Sequence, residues 1–237
     1  MTRRETVDIV KEIVENLSFS EPILEVVDNG DDTFTLRVCN THLVQPICGT
    51  VVIDTVTYSV TAVDHNESIT VSSTVAPPQT NIDISAPSFF FGTTMAVNQE
   101  LSRITETSDK LPLVYLFEVF EETFTNDSNS RNDRTSPLRM FFLGPADFTN
   151  WKTADHHENA IKPMRNLAYD FIDYVTARSK EFGDVNEFRP KDHVKFGVFT
   201  DNKGHTNSLF NEKLSGVELR VNLPIRKSIA CSEDCNC

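Results

Sequence analysis

The chain has 237 residues, with 22 Lys and Arg against 35 Asp and Glu, for a formal charge of −13. That charge excludes general phosphate attraction as a way of holding nucleic acid. A hydrophobic content of 39%, including 17 Phe, excludes a disordered chain and suffices for one large domain or two small ones. Five cysteines, an odd number, argue against a complete disulfide framework.

The first 17 residues contain no continuous apolar run of the kind a secretory signal needs. No window approaches 18 uncharged apolar residues, so the expectation is a cytoplasmic protein without a membrane span. Residues 2–17 instead predict a helix. Val7, Val10, Ile13, Val14 and Leu17 recur at helical spacing, and Thr2 with Glu5 fits a capping box. With its lead-out, this helix accounts for residues 1–21.

From 22 to 77 the period changes to two. "ILEVVD", "TFTLRVC", "GTVVID", "TVTYSVTAVD" and "SITVSS" are short, β-branched and separated by turn residues. "DNGDD" at 28–32 predicts a hairpin turn, because Asn and Gly tolerate positive φ. Five such strands predict a small five-stranded β barrel or sandwich module. Pro77 and Pro78 cannot extend a ladder, so 78–93 reads as a linker.

Residues 94–230 read as helix (94–108), strand (111–124), polar loop (125–137) and strand (138–145). A long helix (155–180), strand (193–199), polar loop (200–214) and strand (215–225) follow. The order α-β-β-α-β-β predicts an antiparallel-rich α+β domain. Ile161, Met164, Leu167, Ala168, Phe171, Ile172 and Val175 mark the buried face of the long helix. Residues 231–237, "CSEDCNC", form a cysteine-containing tail.

Three stretches invite a functional reading. Asp155, His156, His157 and Glu158 sit side by side. Adjacent histidines point about 100° apart on a helix, whereas a one-helix zinc site wants ligands at i and i+4. Asp155 as N-cap and Glu158 as its N3 partner make a capping box, so these residues predict a helix start and no metal site. Cys231, Cys235 and Cys237 offer thiolates, but one close pair is half of a structural zinc motif. A reduced acidic tail is therefore expected, with a zinc or disulfide clasp as the alternative. Cys39 and Cys48 read as partly buried hydrophobes. Phe89, Phe90 and Phe91 either fill the seam between the two halves or anchor a neighbouring subunit. No GxGxxG, P-loop, GxSxG or HExxH is present, so neither catalytic residues nor a cofactor is expected.

The segments "LPLVYLFEVFEETF", "LRMFFLGPADFTNW", "NAIKPMRNLAYDFIDYV" and "LSGVELRVNLPI" follow a shared pattern. A Pro opens an apolar strand, a central amphipathic helix follows, and an SGV-led strand closes. Over residues 94–230 this pattern resembles the ring-forming neck and tail-joining proteins of tailed bacteriophages, the tail-terminator type in particular. The style, cysteine-bearing tail included, also resembles virion proteins of crAss-like gut phages. The resemblance implies a non-enzymatic homo-oligomeric ring in the virion, assembled in the host cytoplasm. Its partners would be portal, neck or tail proteins, with packaged DNA passing through without specific binding. The segment 22–77 departs from a minimal terminator and reads as an insertion or added domain. A binding module that uses this β segment, such as a capsid accessory protein, is the second reading. A metal enzyme at His156 and His157 is the third.

Overall fold

The computed structural model describes residues 4–46, 49–107, 110–118, 121–126 and 130–230. The chain is α+β and mostly β, 41% strand against 21% helix. Helix α1 (Thr6–Glu15) leads into seven strands, β1 (Phe19–Pro22), β2 (Glu25–Asp28), β3 (Thr33–Arg37), β4 (Thr50–Ile53), β5 (Val56–Asp64), β6 (Ser68–Ser72) and β7 (Asn81–Ile84). They form one antiparallel sheet in the order β1-β7-β4-β5-β6-β3-β2. The edges β1 and β2 are joined by Ile23 and Leu24 alone, which bond to Thr80 and Arg37 on opposite sides (2.9 Å each). Two residues span only ~7 Å, so the sheet must curl until its edges meet. A bulge between Val60 and Ala62 helps it bend. The turns match their sequences: Gly30 and Asp32 (φ 78° and 58°) between β2 and β3, Asp54 and Thr55 (51° and 72°) between β4 and β5, and Asn66 (57°) between β5 and β6.

The second sheet begins inside the stretch expected to be a linker. β8 (Ser88–Gly92) pairs in parallel with β9 (Leu113–Phe117), and α2 (Thr94–Leu101) makes the crossover. β10 (Thr123–Phe124), β11 (Asn132–Pro145), β12 (Phe188–Phe196), the hairpin β13 (Val198–Thr200) and β14 (Thr206–Ser208), and β15 (Leu214–Arg226) follow. The main order is β12-β15-β11-β9-β8, with β10 beside β11. Between β11 and β12 lie α3 (Thr153–His156), a π-helical turn (His157–Ile161) and α4 (Lys162–Ala177), and α5 (Lys227–Ala230) closes the described chain. The π turn precedes Pro163, which lacks the N–H that an α-helical ladder would use there.

One core joins the two halves. The inner faces of the curled sheet (Leu36, Ile53, Ile69, Val71, Ile82), the stripe of α1, the expected face of α4 and one face of the second sheet (Met140, Phe142, Leu219, Leu223) form a single buried cluster. On the opposite face of the second sheet a smaller cluster packs under α2, with Val97, Leu101, Leu113, Tyr115, Phe141 and Phe196.

Several expectations are corrected. The β segment is a seven-stranded sheet running to Ile84, not a five-stranded module ending at 77; β1 and β7 were hidden in short polar stretches. The linker 78–93 supplies a strand to each sheet, β7 and β8. The strand expected over 111–124 stops at Phe117. The polar loop 125–137 is strand from Asn132, because Asp133, Arg134 and Ser136 are buried with their polar groups satisfied. Residues 200–214 hold a small hairpin rather than an open loop. The first helix starts at Thr6 with Glu5 at its N-cap, and Thr2 lies outside the described residues.

Candidate functional site

The residues singled out in sequence fall in different places. Alternation along β8 splits the three phenylalanines. Phe89 packs against the large core, Phe90 is buried in the small one, and Phe91 returns to the α1 side with 39% of its surface exposed. Strand pleating sends neighbours to opposite faces, so Phe89 and Phe90 pack into the two cores while Phe91 keeps an exposed face.

Asp155 and Glu158 do not form the expected capping box. The helix starts earlier, at Thr153, and Asp155 occupies N3, accepting the Lys152 backbone N–H (2.8 Å). Glu158 lies in the π turn and pairs with Lys162 (3.0 Å) and His157 (3.3 Å). His157 is surface-exposed, while His156 is buried against Trp151 and Phe148. Ser215 donates its hydroxyl to the Val194 carbonyl and so accepts from His156 Nδ1 (3.0 Å). That leaves Nε2 bare and without a hydrogen-bond partner. Burial, helped by Lys195, lowers the pKa of His156 against the opposing pull of Asp155 and Asp147. Among the described residues, no group of three or more His, Cys, Asp or Glu side chains is placed to hold a metal ion. Cys39 is exposed and free; Cys48, Cys231, Cys235 and Cys237 lie outside the described residues.

What the fold does bring together is a basic strip. α2 covers only part of the outer face of the second sheet. On the uncovered part, register aligns Arg139 of β11, Arg220 of β15 and Arg189 of β12 side by side. One pleat along, Lys191 stands beside Glu218. Glu218 is fully buried at the centre and accepts from Arg139 Nε (2.8 Å), Arg220 Nε (2.6 Å) and His193 Nε2 (3.0 Å). Burial alone would raise its pKa, but the hydrogen bonds from Arg139, Arg220 and His193 outweigh it and lower the value to about 2. The Arg139 guanidinium also lies over the rings of Phe117 and Phe141, at 5.3 and 5.1 Å. The strip is thus built on rigid strands and held in place from below. It borders a depression of about 490 Å³ lined also by Pro137, Glu187 and Asn222. Arg139, Arg189, Arg220 and Lys191 outnumber Glu187 and Glu218, so the strip carries net positive charge on a chain of −13.

A second concavity lies at the other edge of the sheet, on the α1 side. This groove of about 550 Å³ is lined by Val7, Phe91 and Phe124 and flanked by Glu5, Asp8 and Glu121. Beneath it, Arg134 is buried and holds Glu122 (3.2 Å), Asp133 (3.0 Å) and the Arg4 carbonyl (2.5 Å). Glu122 accepts further bonds from Thr6 and Ser136. Burial works against its ionisation, but these donors and Arg134 keep its pKa below the ordinary value.

Sequence reading missed the basic strip, although its signal was present. Glu218, Arg220 and Asn222 alternate with Val217, Leu219, Val221 and Leu223 in one strand. A strand with one apolar face and one charged face has an open side. No protein-family model, curated protein or solved structure matches the chain. No helix among the described residues is long and apolar enough to cross a membrane.

Proposed function

We propose that this protein is a structural subunit that assembles head to tail into a closed ring. Following the resemblance in its second half, we place that ring in the neck or tail of a tailed-phage virion. The observation that carries the reading is charge segregation. A chain of −13 gathers Arg139, Arg189, Arg220 and Lys191 on an uncovered sheet face. A face of that kind matches an acidic protein surface, and copies of this chain offer one in abundance. A ring is a heterologous association, in which each copy presents two different surfaces. The acidic remainder suits a channel through which DNA slides without adhering.

Mass measurement tests the reading. Light scattering of the purified chain should give a multiple of the 26.8 kDa protomer that stays constant over a range of concentrations, as a closed ring requires. Negative-stain images should show annular particles. A monomer at all concentrations, alone and with extracts of the assembling particle, counts against the ring.

A further inference from the structure

We infer that the arginine strip of one copy docks into the acidic groove beside Phe91 and Phe124 of the next copy. This rests on the assembly reading above and names the two surfaces that meet. The strip offers exposed guanidinium groups on a flat sheet face. The groove offers carboxylates of Glu5, Asp8 and Glu121 around two exposed rings, Phe91 at 39% and Phe124 at 45%. Arginine is the side chain that uses both, pairing with carboxylates and stacking on aromatic faces. Within this protein Arg139 already does so with Glu218, Phe117 and Phe141, and Arg134 with Glu122 and the Phe124 ring (5.7 Å).

Topology fits the same pairing. The strip lies on β11, β15 and β12, toward one edge of the sheet and on its outer face. The groove lies at the β8 edge on the opposite face, since Phe91 aligns with Leu116, a residue of the large core. Two surfaces on opposite faces and opposite edges cannot meet within one copy. They can meet between copies related by a repeated rotation, and a rotation that closes on itself gives a ring. A two-fold dimer would pair strip with groove twice within one interface, which needs both surfaces on the same side of a copy, and here they lie on opposite faces. Nucleic acid suits the strip less well, because the field of the whole chain repels a polyanion.

Charge reversal with rescue provides the test. All positions chosen are exposed and stand outside the buried Glu218 and Arg134 networks. Arg189→Glu with Lys191→Glu reverses the strip; Asp8→Lys with Glu121→Lys reverses the groove. Each pair is expected to raise the concentration needed for assembly by about 100-fold, because like charges then face each other. All four changes in one chain restore complementarity and should recover rings at near the wild-type concentration. Circular dichroism is expected to be unchanged throughout. If a pair proves unfolded, Arg189→Gln with Lys191→Gln or Asp8→Asn with Glu121→Gln replaces it, with a smaller shift in the same direction. Rings that persist in the groove variant, or a fourfold variant that stays dissociated, overturn the pairing and leave the ring standing. A monomeric wild type overturns both. Retention of the wild type on single- or double-stranded DNA, lost in the strip variant, assigns the strip to nucleic acid and overturns the pairing.

Discussion

Glu218 shows how one buried residue sets a surface. Its pKa of about 2 lies below the ordinary 4.5, so the folded state binds its proton less readily than the unfolded state. The resulting stabilisation is fully present above about pH 4.5 and is lost as pH falls toward 2. Full linkage would give about 3 kcal/mol, but half-exposed arginines are screened, so about 1–2 kcal/mol is expected. Urea unfolding of Glu218→Gln at pH 7 should show that loss, and the difference from wild type should shrink at pH 3. His156 works in the opposite chemical sense but the same pH direction. Its folded pKa lies below 6.5, so its contribution is present above that pH and is lost on acidification. His65, lowered by burial with Lys162 and His42, behaves alike. Melting temperature should therefore drop between pH 6.5 and 5, before the Glu218 window opens. The drop should be smaller in His156→Phe, which carries no proton into the site left unpartnered at Nε2. Arg134 is the third decisive residue. Arg134→Met removes a buried cation that pairs with Glu122 and Asp133 and is expected to cost about 3–5 kcal/mol in urea unfolding.

At the scale of elements, β7 and β8 decide how the halves relate. β7 bridges β1 and β4 in the curled sheet, and β8 follows three residues later in the other sheet. A fragment of residues 20–77 lacks β7 and the apolar faces of α1 and α4 that share its core. It is expected to give a disordered circular dichroism spectrum; a cooperative, strand-rich fold would show that the curled sheet stands alone. The pairing of β11 with β15 depends on Gly216. A Cβ there would overlap the Phe142 carbonyl oxygen of the neighbouring strand. Gly216→Ala should therefore lower stability by about 3 kcal/mol or more, while Gly204→Ala, which meets open space but has φ of 84°, should cost about 1 kcal/mol. Chemical denaturation of both variants checks the contrast.

For the whole molecule, loops of the curled sheet reach α4 through polar contacts. His42 approaches Asp170 (2.5 Å) and Asn166 approaches His65 (3.2 Å), one helical turn apart. With the shared core, these contacts make the curled sheet part of the same body as the strip and the groove. Assembly by those two surfaces would then carry the curled sheet in a fixed position around a ring. Class averages of the particles should show one peripheral or axial lobe per subunit at constant radius. Lobes that average away would mean that the contacts of α4 do not hold the curled sheet in place.

The sequence by itself determined the periodicities. The face of α4, the stripe of α1, the turn at 28–32 and the strands β2 to β6 were legible, because each follows from side-chain spacing and backbone preference within a few residues. It did not determine partners in space. Polar Asn132–Ser136 reads as loop until Glu122, Thr6 and Arg4 arrive to satisfy Arg134. Adjacency alone says that Phe89, Phe90 and Phe91 cannot all face one way, but which core each joins is decided only by the register of β8 against β9. Arg139, Arg189 and Arg220 lie far apart in the chain, and only the register of three strands makes them one surface. Local free energies are written residue by residue. The surface is decided by long-range pairing, whose energy depends on which segments meet.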